Sequence, residues 1–141
     1  MDLAHKARPA RYLVLGCSSV GAQQACTELL ERQRFLSTTQ NQVARAEPFL
    51  IRSGRHSFYG SILEGDEEYV RFDPGCMQGA TKRAQLLMTQ LLDSNPCPSY
   101  SHQWQVGDIL VIDNWRMLHR RTDATRSLDR TLLRVTVLEG H

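Results

Sequence analysis

Short strand-like runs, each cut off by a turn signal, constrain this chain most. "RYLVLGC" over Arg11–Cys17 is apolar and lies between Pro9 and the turn signal from Gly16 to Ser19. "PFLIR" (Pro48–Arg52) and "SFYGSIL" (Ser57–Leu63) flank the polar bend "SGR", which predicts a hairpin. "EYVRF" (Glu68–Phe72) alternates as a half-buried strand does and stops at "DPG". "HQWQV", "ILVID" and "TLLRVTVLE" complete the set, and in this half turn signals recur about every 8–12 residues. Two stretches carry helical spacing instead. Ala22 to about Phe35 reads as a helix, with "STTQNQ" after it as loop. "ATKRAQLLMTQLLD" reads as the second helix, with Ala80, Ala84, Leu87 and Leu91 on one face. About six or seven strands with two helices favour a mainly β sandwich or barrel with flanking helices over a doubly wound sheet.

Bulk properties narrow the partners. The chain has 141 residues, 41% hydrophobic and 23% charged, which suits a single globular domain over 1–141. A net charge of +2 gives no field that calls for nucleic acid or an anionic membrane. No apolar run approaches the roughly 20 residues of a membrane helix. None of Cys17, Cys26, Cys76 and Cys97 is spaced as C-x-x-C, so reduced structural thiols and a cytoplasmic location are expected. The chain begins almost at once with a strand, whereas a jelly roll has about eight. Either one or more strands are missing at the N-terminus, or the count of six or seven is short. In the first case Arg11–Cys17 would be an exposed edge, which predicts a homodimer or strand exchange through it.

The best-defined constellation is "GDILVIDNWRMLH", from Gly107 to His119, followed by Arg130 and Arg134. It resembles the taurine dioxygenase/clavaminate synthase-like branch of the Fe(II)- and 2-oxoglutarate-dependent oxygenases. There a Gly-Asp turn, an apolar strand, Asp-Asn, a basic residue and His precede an Arg-x-x-x-Arg pair. The resemblance implies a double-stranded β-helix (jelly-roll) and an iron site of two histidines and one carboxylate, leaving positions open for the oxoacid and oxygen. The first ligand pair of the family is His-x-Asp or His-x-Glu, and no histidine here has a carboxylate two positions on. Asp2 stands where that carboxylate falls, which places its histidine one residue before Met1. At the family's spacing from that carboxylate stands Thr27.

The resemblance implies roles residue by residue. His119 and Asp2 are metal ligands, with Asp113 or Asn114 orienting the turn before His119. Arg130 and Thr27 hold the distal carboxylate of 2-oxoglutarate, a guanidinium matching a carboxylate bidentately. Arg134 either supports them or meets a substrate group. The implied cofactors are Fe(II) and 2-oxoglutarate. The implied reaction is hydroxylation or desaturation of a small-molecule substrate by molecular oxygen, coupled to decarboxylation of 2-oxoglutarate to succinate.

Other readings stay open. Arg130 and Arg134 also suit surface pairs with Asp123, Asp129 or Glu139. Trp104 and Trp115 read as packing, and Phe58 and Tyr59 as core. Arg71, in "RFDPG", either lines the pocket or faces solvent. A non-catalytic jelly-roll module that has lost its metal site is the alternative to the enzyme.

Overall fold

The computed structural model describes residues 4–21, 26–65, 69–122 and 131–137. Among them the chain runs β1 (Tyr12–Ser19), β2 (Thr27–Glu31), α1 (Thr38–Ala46), β3 (Phe49–Ser53), β4 (His56–Gly60), β5 (Leu63–Glu64), β6 (Tyr69–Val70), β7 (Met77–Gly79), α2 (Lys82–Asp93), β8 (Tyr100–His102), β9 (Ile109–Asp113), β10 (Met117–Arg121) and β11 (Thr131–Val137). All strand pairings are antiparallel. A first sheet has the order β11-β1-β9, a second β10-β2-β8 and a third β4-β3-β7, with β5 and β6 as a separate pair.

The first two sheets close on each other around Leu13, Leu15, Cys17 and Ile112 from one side and Leu29 and Trp104 from the other. The far face of the second sheet buries Leu30 and Leu118 against Phe49 and Ile51 of β3 and Ala84, Leu87, Met88 and Leu91 of α2. This is the expected mainly β architecture with flanking helices. The second helix forms where its spacing predicts, with the Thr81 side chain accepting from Ala84 N at 3.1 Å as its N-cap. The hairpin also forms as predicted, turning at Gly54 with φ of 59°.

Several expectations need correction. The described part of the predicted Ala22–Phe35 helix is strand β2 followed by a 3-10 turn over Arg32–Arg34. Leu29 and Leu30 are both buried, one on each face of the second sheet. A strand covered on both faces loses its alternation and imitates a buried helix. The supposed loop "STTQNQ" opens α1, with Ser37 as N-cap in a reciprocal capping box with Gln40. The described residues hold eleven strands, not six or seven. β5, β6 and β7 are only two or three residues long and offer no period to read. Tyr59 is 67% exposed and is not core. The Arg11–Cys17 segment is no sheet edge: β1 is central, flanked by β11 and β9, so self-association through it has no unpaired strand to use.

Candidate active site

The motif from Gly107 to His119 runs along β9 of the first sheet and crosses into β10 of the second, and its turns are fastened to the N-terminal segment. Gly107 takes φ of 93°, a left-handed conformation that glycine tolerates. Its N–H donates to Cys17 O, and Cys17 N–H donates back to Asp108 O, both at 2.9 Å. At the other end, Asp113 Oδ1 accepts from Trp115 N–H at 3.1 Å, and the Arg11 guanidinium lies 3.3 Å from the same carboxylate. Asn114 is buried and donates from Nδ2 to Ala10 O at 2.9 Å, while the Trp115 indole donates to Pro9 O at 3.0 Å. Both Asp113 and Asn114 thus orient the turn through backbone groups, as expected.

The chain then enters β10, where His119 lies opposite Leu29 of β2. Residues opposite each other in an antiparallel pair share a face. Leu29 belongs to the core between the first and second sheets, so His119 and, two residues from Leu29, Thr27 lie on that inner face. His119 Nε2 is buried from solvent. In the first sheet Arg134 lies opposite Leu15, another residue of the same core, and Leu132 on that face packs against it. Two of the expected site residues, His119 and Thr27, therefore share the inner face of the second sheet, whereas Arg134, although opposite Leu15 in register, is exposed. Asp2 and Arg130 lie outside the described residues. Thr27 sits in a strand and not in the helix expected for it, and its hydroxyl accepts from Trp104 Nε1 at 2.9 Å.

A cavity of about 480 Å³ adjoins this position, with His119, Leu29, Leu30, Phe35, Phe72 and Leu118 in its wall. Leu30 and Leu118 belong to the face of the second sheet turned away from Thr27. The cavity thus lies mainly against the face of the second sheet turned away from Thr27, and its wall includes neither Thr27 nor Arg134. Among the described residues no group of three or more His, Cys, Asp or Glu is placed to hold a metal ion. The donor types present still suit the expected ligands: an imidazole suits ferrous iron, and a hydroxyl with a guanidinium suits a carboxylate.

Sequence reasoning missed what Arg71 does. It neither lines the cavity nor faces solvent: it is fully buried and clamps the start of the chain. The guanidinium donates to Ala4 O, to Lys6 O at 2.6 Å and to Ala7 O at 2.9 Å. Glu64 balances its charge at 3.1 Å, and Tyr69 donates its hydroxyl to the same carboxylate at 2.7 Å. The "RFDPG" turn was the available signal, but nothing local says which backbone an arginine will meet.

Burial, reinforced by the hydrogen bond to Glu64, pushes the Tyr69 phenol up to about 12. The unfolded chain releases that proton near pH 10, while the folded chain keeps it to about 12. The contribution to stability is complete below pH 10 and is lost as pH rises through this window. Between pH 9 and 11 the protein should lose about 1 kcal/mol more stability than Tyr69→Phe does. Urea titrations of both at the two pH values test this, and parallel losses would refute it.

The model of the family described as "Taurine catabolism dioxygenase TauD, TfdA family" matches residues 28–136, and the chain belongs to this family. Among solved structures it resembles asparagine oxygenase (AsnO) at 21% identity and a TM-score of 0.76, covering 96% of this chain and 46% of that one. It resembles the non-heme iron oxygenase OrfP in complex with Fe and alpha-ketoglutaric acid at 24% identity and a TM-score of 0.70, covering 96% and 47%. AAD-2 in complex with Mn(II) and N-oxalylglycine matches at 17% identity and a TM-score of 0.74, covering 96% and 66%. The chain spans about half the length of AsnO and OrfP. No curated protein sequence matches it. No helix among the described residues is long and apolar enough to cross a membrane.

Proposed function

We propose that residues 1–141 form one partial jelly-roll domain of an Fe(II)/2-oxoglutarate-dependent oxygenase that hydroxylates or desaturates a small molecule. The observation that carries this reading is the inner face of the second sheet shared by His119 and Thr27. His119, with Asp2, would hold ferrous iron. Thr27 and the arginines Arg130 and Arg134 would hold the distal carboxylate of 2-oxoglutarate. Iron, when bound, supplies the activation of molecular oxygen that couples decarboxylation of the oxoacid to attack on an unactivated C–H bond. The chain's own contribution is orientation: a hydroxyl and guanidinium groups turn the diacid so that its oxoacid end lies toward His119. The cavity beside His119 falls within the size range of small-molecule sites. A cytoplasmic location belongs to the same proposal and accords with four free cysteines.

A second reading, a binding or assembly module without iron chemistry, draws support from the lack of a three-ligand cluster among the described residues. One experiment separates the two. The chain, and a variant with one histidine added before Met1 to complete His-Met-Asp, are supplied with Fe(II), ascorbate, oxygen and 2-oxoglutarate. Succinate should form with the added histidine, at least about 10-fold faster than without it. No succinate from either protein would reject the enzyme and leave the binding module.

A further inference from the structure

Thr27 does not stand alone. Its hydroxyl has one proton to give and two lone pairs to receive with. The Trp104 indole N–H, itself 1% exposed, occupies one lone pair at 2.9 Å. Thr27 is 5% exposed, and no acceptor for its proton is found among the described residues. A buried hydroxyl that already receives a hydrogen bond is left with a proton to donate, on the face it shares with His119. That suits an incoming carboxylate, which only accepts.

Trp104 is held in turn. The His102 ring meets it edge-on, with centroids 4.6 Å apart and planes at 87°. His102 Nε2 lies 3.1 Å from Asp108 Oδ2, and the same oxygen accepts from Gln105 N–H at 2.9 Å. Asp108 is the aspartate of the Gly-Asp turn that opens the motif. The turn is thus connected side chain by side chain, through His102 and Trp104, to Thr27.

We propose that Trp104 is a positioning residue for the oxoacid: its indole N–H commits the Thr27 hydroxyl to act as donor toward the distal carboxylate of a five-carbon 2-oxo diacid. The proposal deepens the oxygenase reading and rests on it. It predicts a loss confined to the distal carboxylate. A 2-oxo acid lacking that group, such as 2-oxobutyrate, should not sense Trp104.

The test is an NMR titration of the 141-residue chain with Zn(II) in place of Fe(II), using 2-oxoglutarate and 2-oxobutyrate in parallel. Trp104→Phe and Thr27→Val should each raise the Kd for 2-oxoglutarate about 10-fold, and the double variant no further. The Kd for 2-oxobutyrate should stay within about twofold. Should Trp104→Phe fold poorly, the unsubstituted chain gives a second readout through its two indole N–H signals, assigned by Trp115→Phe. The Trp104 signal should shift with 2-oxoglutarate and not with 2-oxobutyrate. Equal weakening of both acids by Trp104→Phe, or a Trp104 signal indifferent to 2-oxoglutarate, overturns the proposal while leaving the oxygenase reading intact. Failure of the chain to bind either acid, both as it is and with one histidine added before Met1, overturns both.

Discussion

Arg71→Ala is expected to lower the stability of the fold by about 3–5 kcal/mol, the usual cost of removing one partner from a buried ion pair. Arg71 has no exposed surface, and its guanidinium serves three backbone carbonyls, a carboxylate and a phenol at once. Alanine leaves the Glu64 carboxylate without its cation and the carbonyls of Ala4, Lys6 and Ala7 without that donor. Arg71→Lys should recover only part of the loss, because one ammonium cannot reproduce a planar fork with five donors. Chemical denaturation at neutral pH measures both, and a loss below about 1 kcal/mol for alanine would contradict the clamp. The same substitution releases the segment that follows Asp2, so any metal affinity of the chain should fall with it.

His119→Ala is expected to act in the opposite way, on ligand binding and not on the fold. Loss of an imidazole donor should weaken Fe(II) binding by at least about 100-fold, the upper end of what even an outlying partner of a ligand costs. Stability should change by no more than about 1 kcal/mol, since β10 keeps its pairing with β2 and its packing through Leu118. Calorimetric titration with Fe(II) under anaerobic conditions, alongside a thermal melt, separates the two effects. Unchanged iron affinity would remove His119 from the site, and with it the enzyme reading. The contrast between the two substitutions is itself informative, since one position holds the chain and the other faces what the chain would bind.

The motif that carries the candidate site was legible because it forms a local pattern of residue types. "GDILVIDNWRMLH" predicted a turn, a strand, an orienting Asp-Asn pair and a histidine, and β9, the turn bonds of Asp113 and Asn114, and His119 match it. That histidine lies beyond β9, within β10, a strand that the sequence does not mark. Thr27, a candidate that only the family resemblance offers, lies in a strand and not the expected helix, since "TELLE" buries leucines on both faces and so carries no strand period. Trp104 read as packing, and it does pack. Its hydrogen bond to a residue 77 positions away is invisible to any local pattern.

Side-chain type and short-range order by themselves determined a mainly β chain with a hairpin and the Lys82–Asp93 helix, and a run of residues that resembles one oxygenase family. Those features depend on neighbours a few residues apart. Tertiary structure alone decided that β1 lies between β9 and β11, that "ILVID" buries Ile112 while exposing Ile109 and Val111, and that Arg71 grips residues 4–7. These outcomes depend on which distant segment arrives to pair or to cover a face, and an apolar or charged side chain has the same identity whichever segment arrives.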